Sequence, residues 1–190
     1  MKNITIFASG SGTNAENIIK HFSTGNFARV SLVLSNRREA YVLHRAEALN
    51  IKTIFFDRND FYTNGKVLQA LYQANPDLIV LAGFLWLVPE EILKAFEGRI
   101  INIHPALLPQ YGGKGMYGDR VHTAVIENGD TESGITIHYV NKRYDEGNII
   151  FQARCRIDPG DTPETLAARV HSLEYKYYPT VIEDLLKKLP

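Results

Sequence analysis

Short apolar runs rich in β-branched residues alternate, through the first hundred positions, with stretches whose apolar residues recur every three or four positions. The first pattern predicts strands and the second predicts helices. Strands are predicted at residues 4–8, 30–34, 53–56, 78–82 and 100–103, and helices at residues 14–22, 39–49, 60–74 and 89–96. This alternation is typical of βαβ units and predicts an α/β fold with a doubly wound, mostly parallel sheet.

The pattern changes after His104. Residues 110–118 contain four glycines and predict an irregular loop, which a short helix at residues 119–127 follows. Residues 134–140 and 148–157, joined by a loop at residues 141–147, predict an antiparallel C-terminal hairpin extension of the sheet. Thr162-Pro163-Glu164 is a typical helix start, so a long C-terminal helix is expected to run to about Lys188. No linker or repeat is visible, and we expect a single domain over residues 1–190.

The segment Asn102-Ile103-His104-Pro105, at the end of an apolar strand, carries the most chemical information. Side chains at alternate positions of a strand share a face, so Asn102 and His104 are expected to project together. Pro105 cannot donate a ladder hydrogen bond and should end the strand there. An amide donor beside a titratable imidazole can stabilise an oxyanion and move a proton, which acyl or formyl transfer requires.

The first strand leads into Ser9-Gly10-Ser11-Gly12-Thr13-Asn14 and then a helix. Glycines bring backbone N–H groups close to a ligand, and a helix N-terminus attracts anions, so this segment is a candidate phosphate site. The run from Gly10 to Ala15 also fits the loose dinucleotide pattern, and Arg37-Arg38 after the second strand would suit a 2′-phosphate. The residues alone therefore leave an NADP-dependent oxidoreductase as an alternative.

A third group is needed to orient the imidazole of His104, and loop acids near the same rim are the candidates. Asp145 and Glu146 both qualify, and the residues alone do not choose between them. A carboxylate beside His104 is expected to favour the imidazolium and raise its pKa. We expect His138 to be structural, whereas His122 is a candidate lining residue of the site.

Composition limits the classes of function. The chain has 21 Lys and Arg against 21 Asp and Glu, a balance that argues against a general nucleic-acid binder. It has one cysteine, no signal-peptide pattern and no apolar stretch near the ~18 residues that span a bilayer. Its six histidines show no metal-ligand spacing, so no metal is expected. We expect a cytoplasmic monomer or weak homodimer that binds small molecules and neither nucleic acid nor membrane.

These motifs, in this order, resemble the folate-dependent formyltransferases over almost the whole chain. The run Asn-x-His-Pro-x-Leu-Leu-Pro that begins at Asn102 is very specific for folate-dependent formyl transfer. The resemblance implies a Rossmann-like formyltransferase fold. The other matching segments are Ser9-Gly10-Ser11-Gly12-Thr13-Asn14, Leu81-Ala82-Gly83-Phe84, Glu127-Asn128-Gly129-Asp130, Asp145 with Gly147, Gly160-Asp161-Thr162 and Glu174.

Two features favour one branch of this family. The Gly-Ser-Gly-Thr-Asn loop is similar to a ribonucleotide phosphate site. Methionyl-tRNA formyltransferase resembles this chain with an added C-terminal domain, and formyltetrahydrofolate hydrolase adds an N-terminal one; neither extension is expected here. The resemblance thus implies transfer of the formyl group of 10-formyltetrahydrofolate, a co-substrate, to the amine of 5′-phosphoribosylglycinamide (GAR) in de novo purine biosynthesis. A non-catalytic folate-binding domain is a further alternative.

The resemblance also implies a role for individual residues. Asn102, His104 and Asp145 match the catalytic trio, so Asp145 is preferred to Glu146. Residues 1–100 would form a phosphate-binding half, and residues 101–190 a catalytic and folate-binding half. The expected contacts with GAR are Gly12, Thr13, Asn14 and Glu174, and those with folate are Arg58, Leu85, Trp86, Leu87, Val88, Asn141, Lys142, Arg143 and Tyr144.

The chain departs from the common family pattern in two places. Trp86 stands where the family often has arginine, which changes the expected folate contacts at that position. The run Gly112-Gly113-Lys114-Gly115-Met116-Tyr117-Gly118 is longer and richer in glycine than usual, and we expect Lys114 to be exposed on it.

Overall fold

A seven-stranded sheet forms the centre of the chain in a computed structural model that describes residues 1–189; Pro190, the last residue of the predicted domain, lies outside the described residues. The strands are β1 (Lys2–Phe7), β2 (Ala28–Ser35), β3 (Lys52–Phe55), β4 (Leu78–Leu81), β5 (Ile100–His104), β6 (Glu132–Tyr139) and β7 (Ile149–Arg156). The helices are α1 (Thr13–Ser23), α2 (Tyr41–Ala48), α3 (Arg58–Tyr62), α4 (Lys66–Ala74), α5 (Glu90–Ala95), α6 (Asp119–Glu127) and α7 (Pro163–Lys188).

The strand order is β3-β2-β1-β4-β5-β6-β7, which confirms the predicted fold class. The first five strands in this order are parallel, whereas β6 pairs antiparallel with both β5 and β7. The order reverses between β1 and β4. In open α/β sheets, ligands bind beyond the carboxyl ends of the strands at such a reversal.

Apolar side chains on the two faces of the sheet form two buried clusters. Ile4 and Ile6 of β1 belong to one cluster and Phe7 to the other, as the alternation of a strand requires. Every residue of β4 is buried, because helices cover this strand on both faces. Among residues 1–189, no helix is long and apolar enough to cross a membrane.

The prediction of one helix over residues 60–74 is wrong, since α3 and α4 are separate. Asp57 and Asp60 form a capping box that starts α3 earlier than predicted. A turn then intervenes: Asn64 Oδ1 accepts from the N–H of Lys66, and Gly65 has a φ of 71° in the left-handed region. The long C-terminal helix is present as predicted, with Thr162 in a capping box at its start.

Candidate active site

A cavity of about 550 Å³ opens at the carboxyl ends of β1, β4 and β5, where the strand order reverses. Its walls include residues 9–14 after β1, residues 81–88 at the end of β4, and residues 102–105 at the end of β5. Residues 113–118 of the glycine-rich loop and residues 143–145 of the hairpin loop complete much of the rim. The sheet topology therefore brings together segments that are far apart in sequence.

The loop after β1 is fixed by its own polar contacts. Ser9 Oγ donates to Asn36 Oδ1 at 2.7 Å and accepts from the Leu85 N–H at 3.0 Å, which ties this loop to those after β2 and β4. Gly12, with a φ of 77°, precedes α1, and no side chain caps the helix there. Gly12, Thr13 and Asn14 line the cavity, so the N–H groups at the start of α1, which no side chain caps, lie in the cavity wall.

Glu174 of α7 reaches the same loop. Glu174 is 4 % exposed, and its Oε2 accepts from Asn14 Nδ2 and contacts His171 Nδ1, both at 2.8 Å. The hydrogen bond with Glu174 raises the pKa of His171 above its ordinary value. Asn14 Oδ1 is buried without a hydrogen-bond partner among the described residues. The cavity wall therefore has an unpaired acceptor, Asn14 Oδ1, beside the buried carboxylate of Glu174.

Asn102 is held from the neighbouring strand β6, where His138 is its register partner. His138 Nδ1 lies 2.8 Å from the carbonyl oxygen of Tyr139, which can only accept, so the Nδ1 carries a proton. The Asn102 Nδ2 lies 3.1 Å from His138 Nε2, which is then free to accept from the amide. The same Nδ2 lies 3.5 Å from Asp145 Oδ1. The amide of Asn102 therefore has a fixed orientation.

His104 is 3 % exposed and has an oxygen near each ring nitrogen. Nε2 lies 2.7 Å from the Tyr111 carbonyl oxygen, and Nδ1 lies 3.5 Å from Asp145 Oδ2. We expected the neighbouring carboxylate to raise the pKa of His104 overall, and this prediction is wrong. Burial lowers the pKa below its ordinary value and outweighs the raising effects of Asp145 and the Tyr111 carbonyl. The imidazole is neutral at neutral pH, with an acceptor beside each nitrogen.

Asp145, rather than Glu146, faces His104. It has a left-handed φ of 57°, and its Oδ2 accepts from the Gly113 N–H at 3.0 Å. Burial raises the pKa of Asp145, but His138, His104 and the Gly113 N–H together hold it below its ordinary value, so the carboxylate is ionised. Glu146 is exposed and pairs with Arg143 instead.

The predicted folate contacts only partly reach the cavity. Leu85, Trp86, Leu87 and Val88 line it, as do Arg143 and Tyr144. Arg58 does not line the cavity, but its guanidinium carbon lies 5.0 Å from the ring centroid of Trp86. Asn141 and Lys142 do not line it either, and Asn141 Oδ1 accepts from the Arg143 N–H within the hairpin loop.

His138, which we expected to be structural, lines the cavity and contacts Asn102. His138 reaches the site because it pairs with Asn102 in the register of β6 against β5. The sequence did not predict this, because register cannot be derived from the alternation of β6 alone. His122 lines the cavity, as the sequence suggests; it is buried, and its Nδ1 lacks a partner in the described part of the chain. Lys114 also lines the cavity, on the glycine-rich loop.

The open α/β sheet thus brings the loop of residues 9–14 and the side chains of Asn102, His104 and Asp145 to one cavity. The sequence profile described as "Formyl transferase" matches residues 2–182, and the chain belongs to this family. The phosphoribosylglycinamide formyltransferase of Bacillus subtilis is 38 % identical over 191 residues, which span 98 % of this chain and 95 % of that protein. The chloroplastic phosphoribosylglycinamide formyltransferase of Arabidopsis thaliana is 40 % identical over 95 % of this chain, which spans only 64 % of that relative's length.

A solved structure gives the same result for the fold. The crystal structure of phosphoribosylglycinamide formyltransferase from Bacillus halodurans superposes with a TM-score of 0.89 at 36 % sequence identity. The match covers 100 % of this chain and 97 % of that one. The antiparallel strands β6 and β7 and the long helix α7 therefore belong to the fold of this family.

Proposed function

We propose that this chain transfers the formyl group of 10-formyltetrahydrofolate to the amine of GAR, giving formyl-GAR and tetrahydrofolate in de novo purine biosynthesis. One observation carries the proposal: a single cavity joins the loop of residues 9–14 to the side chains of Asn102, His104 and Asp145. Membership of the formyl transferase family and similarity to proteins named phosphoribosylglycinamide formyltransferase support it.

GAR is proposed to bind at the start of α1. The backbone N–H groups around Gly12 and Thr13 would hold its phosphate, because unsatisfied N–H groups and the helix dipole favour an anion there. The unpartnered Asn14 Oδ1 suits a hydroxyl of the ribonucleotide, and the buried Glu174 carboxylate beside it suits a second donor. The glycinamide amine would then point from this wall toward β5.

The folate is proposed to bind on the other side of the cavity, along residues 85–88. Trp86 joins an aromatic cluster through contacts with Phe56 and Phe61, so this wall is apolar and stiff. Arg58 would act through its contact with the Trp86 ring rather than by touching folate. Arg143 and Tyr144 line the cavity and would contact folate directly, whereas Asn141 and Lys142 would shape the loop that carries them.

Asn102 is proposed to stabilise the oxyanion. Attack of the GAR amine on the formyl carbon forms a carbon–nitrogen bond and puts negative charge on the formyl oxygen. The Nδ2 of Asn102 has two N–H groups. One is directed at His138 Nε2 and sets the orientation of the amide, and the other, whose contact with Asp145 Oδ1 is long at 3.5 Å, can donate to that oxygen. A donor that is fixed in advance stabilises the transition state without reorganisation.

His104 is proposed to carry the proton. The attacking amine must lose a proton, and the folate nitrogen must gain one as its bond to the formyl carbon breaks. Neutral His104 can take the first proton, after which both ring N–H groups have an oxygen acceptor in Asp145 and Tyr111. The charge on Asp145 would stabilise this transient imidazolium, which then returns the proton to the departing nitrogen.

Residues 1–100 were expected to form a phosphate- and nucleotide-binding half, and residues 101–190 a catalytic and folate-binding half. In this proposal the division holds only in part, because the folate wall at residues 85–88 lies in the first half and Glu174 lies in the second. A cytoplasmic monomer or weak homodimer that acts on these small molecules, and not on nucleic acid, is part of the same proposal. The equal numbers of basic and acidic residues favour small molecules over nucleic acid as its partners.

The direct test is the absorbance change of folate on loss of the formyl group, with and without GAR. Turnover that requires GAR is the expected result. Loss of the formyl group from 10-formyltetrahydrofolate in the absence of GAR would contradict the proposal and indicate a hydrolase. Tight folate binding without any turnover would replace it with a non-catalytic folate-binding protein.

A further inference from the structure

The backbone of residues 111–113 contacts two side chains of the proposed centre. The carbonyl oxygen of Tyr111 lies 2.7 Å from His104 Nε2, and the N–H of Gly113 donates to Asp145 Oδ2 at 3.0 Å. A carbonyl oxygen can only accept, so His104 Nε2 must carry a proton in this arrangement. The nitrogen left to gain or lose a proton is Nδ1, which lies beside Asp145.

Tyr111 is anchored on the far side from this centre. Its Oη donates to Asp130 Oδ2 at 2.7 Å in a separate cavity of about 220 Å³, and Asn128 Nδ2 donates to the other Asp130 oxygen at 2.7 Å. Tyr111 also has a φ of 56°, which is uncommon for a residue with a side chain. Such a conformation persists only where the surroundings hold it, and the bond to Asp130 is suited to that task.

We propose that Tyr111 is a positioning residue for His104, and that its hydrogen bond to Asp130 holds the carbonyl that fixes the protonated nitrogen of the imidazole. The proposal deepens the proposed function and rests on it. In other histidine centres, the hydrogen-bond partner of one ring nitrogen fixes the tautomer and so decides whether the other nitrogen can accept a proton. The Tyr111 carbonyl is that partner for His104 Nε2. No contact between Tyr111 and either substrate is required.

The first test is Tyr111→Phe, which removes only the phenolic oxygen, with Tyr72→Phe as the matched control on an exposed tyrosine. We expect kcat to fall roughly 10- to 100-fold, as for misplaced catalytic groups, while KM for each substrate changes less than about twofold. Long-range ¹H–¹⁵N spectra give the second readout, and the resonances that disappear in His104→Gln are those of His104. In Tyr111→Phe, the Nε2 resonance of His104 should shift from the position of a protonated nitrogen toward that of a mixture of the two tautomers. Tyr72→Phe should match the wild type in both readouts.

Variants of Asp130 test the same bond from its other end. Asp130→Ala should reproduce the loss of Tyr111→Phe, and the double variant should lose no more than either single one. Asp130→Asn keeps an acceptor for the phenol and should restore most of kcat. An unchanged kcat in Tyr111→Phe, or a lower kcat with unmoved His104 resonances, would overturn the proposal. If the wild type itself failed to transfer formyl groups, the proposed function would fall, but the His104 resonances would still report whether Tyr111 holds the ring.

Discussion

Asn102 differs from its two partners in the site because it carries no titratable group, so its contribution can be measured without a change in protonation. Its amide is oriented by His138 at 3.1 Å, and that imidazole is oriented in turn by the Tyr139 carbonyl. We predict that Asn102→Ala lowers kcat by about 10²- to 10³-fold, the usual cost of losing one oxyanion donor. Steady-state kinetics check this, with Asn64→Ala, outside the cavity wall, as the control. Near-full turnover in Asn102→Ala would remove Asn102 from the mechanism.

The burial of His104 leads to a separate prediction, about how the free energy of unfolding depends on pH. Its pKa in the folded chain is lowered from 6.5, chiefly by burial, so between the folded value and 6.5 the unfolded chain binds more protons. The free energy of unfolding should therefore fall as pH decreases through 6.5. His122 has the same direction, whereas His171, with its raised pKa, acts oppositely.

Denaturant titrations between about pH 7.5 and 5.5 measure this slope. We predict that His104→Gln loses less stability over this range than the wild type. His44→Gln, which changes an exposed histidine, is the control and should keep the wild-type slope. Equal slopes in His104→Gln and the wild type would show that burial of His104 does not govern its protonation.

At the scale of elements, the loop after β1 and the start of α1 make one prediction. A Cβ at Gly12 would collide with the side chain of Val42 on α2, and Gly12 has a left-handed φ. Gly12→Ala should cost about 1–3 kcal/mol of stability, the usual range for overpacking, and weaken phosphate binding. Gly10→Ala has no atom within 4 Å of its Cβ and is the control for stability. Thermal unfolding of both variants checks this, and equal melting temperatures would contradict it.

Most elements could be predicted because each follows from its own residues. The apolar strand at residues 78–81 and the capped start of α7 are of this kind. The division between α3 and α4 was not predicted, since it depends on a local turn at Asn64 and Gly65 that interrupts an otherwise helical pattern. The role of His138 was not predicted because it depends on the register of β6 against β5.

At the scale of the whole molecule, the strand order β1-β4-β5 explains why one cavity joins the loop of residues 9–14 to the side chains of Asn102, His104 and Asp145. The sequence predicted Asn102, His104 and the loop at residues 9–14 from local pattern, and offered Asp145 and Glu146 as the third group. The choice of Asp145 came only from the family resemblance. The sign of the His104 pKa shift could not be predicted, because burial is a property of the assembled fold and here exceeds the effect of the nearby charge. The contact between the Tyr111 carbonyl and His104 could not be predicted either, because it joins a loop to the end of β5 in the assembled fold.

We propose above all that this one cavity transfers a formyl group between two bound substrates. The most direct measurement follows a ¹³C-labelled formyl group from 10-formyltetrahydrofolate by NMR, with the purified chain and GAR. We predict that the label appears in formyl-GAR in equal amount to the tetrahydrofolate formed, and that Asp145→Ala slows this transfer sharply. Label released as formate, or transfer that is undiminished in Asp145→Ala, would contradict the account.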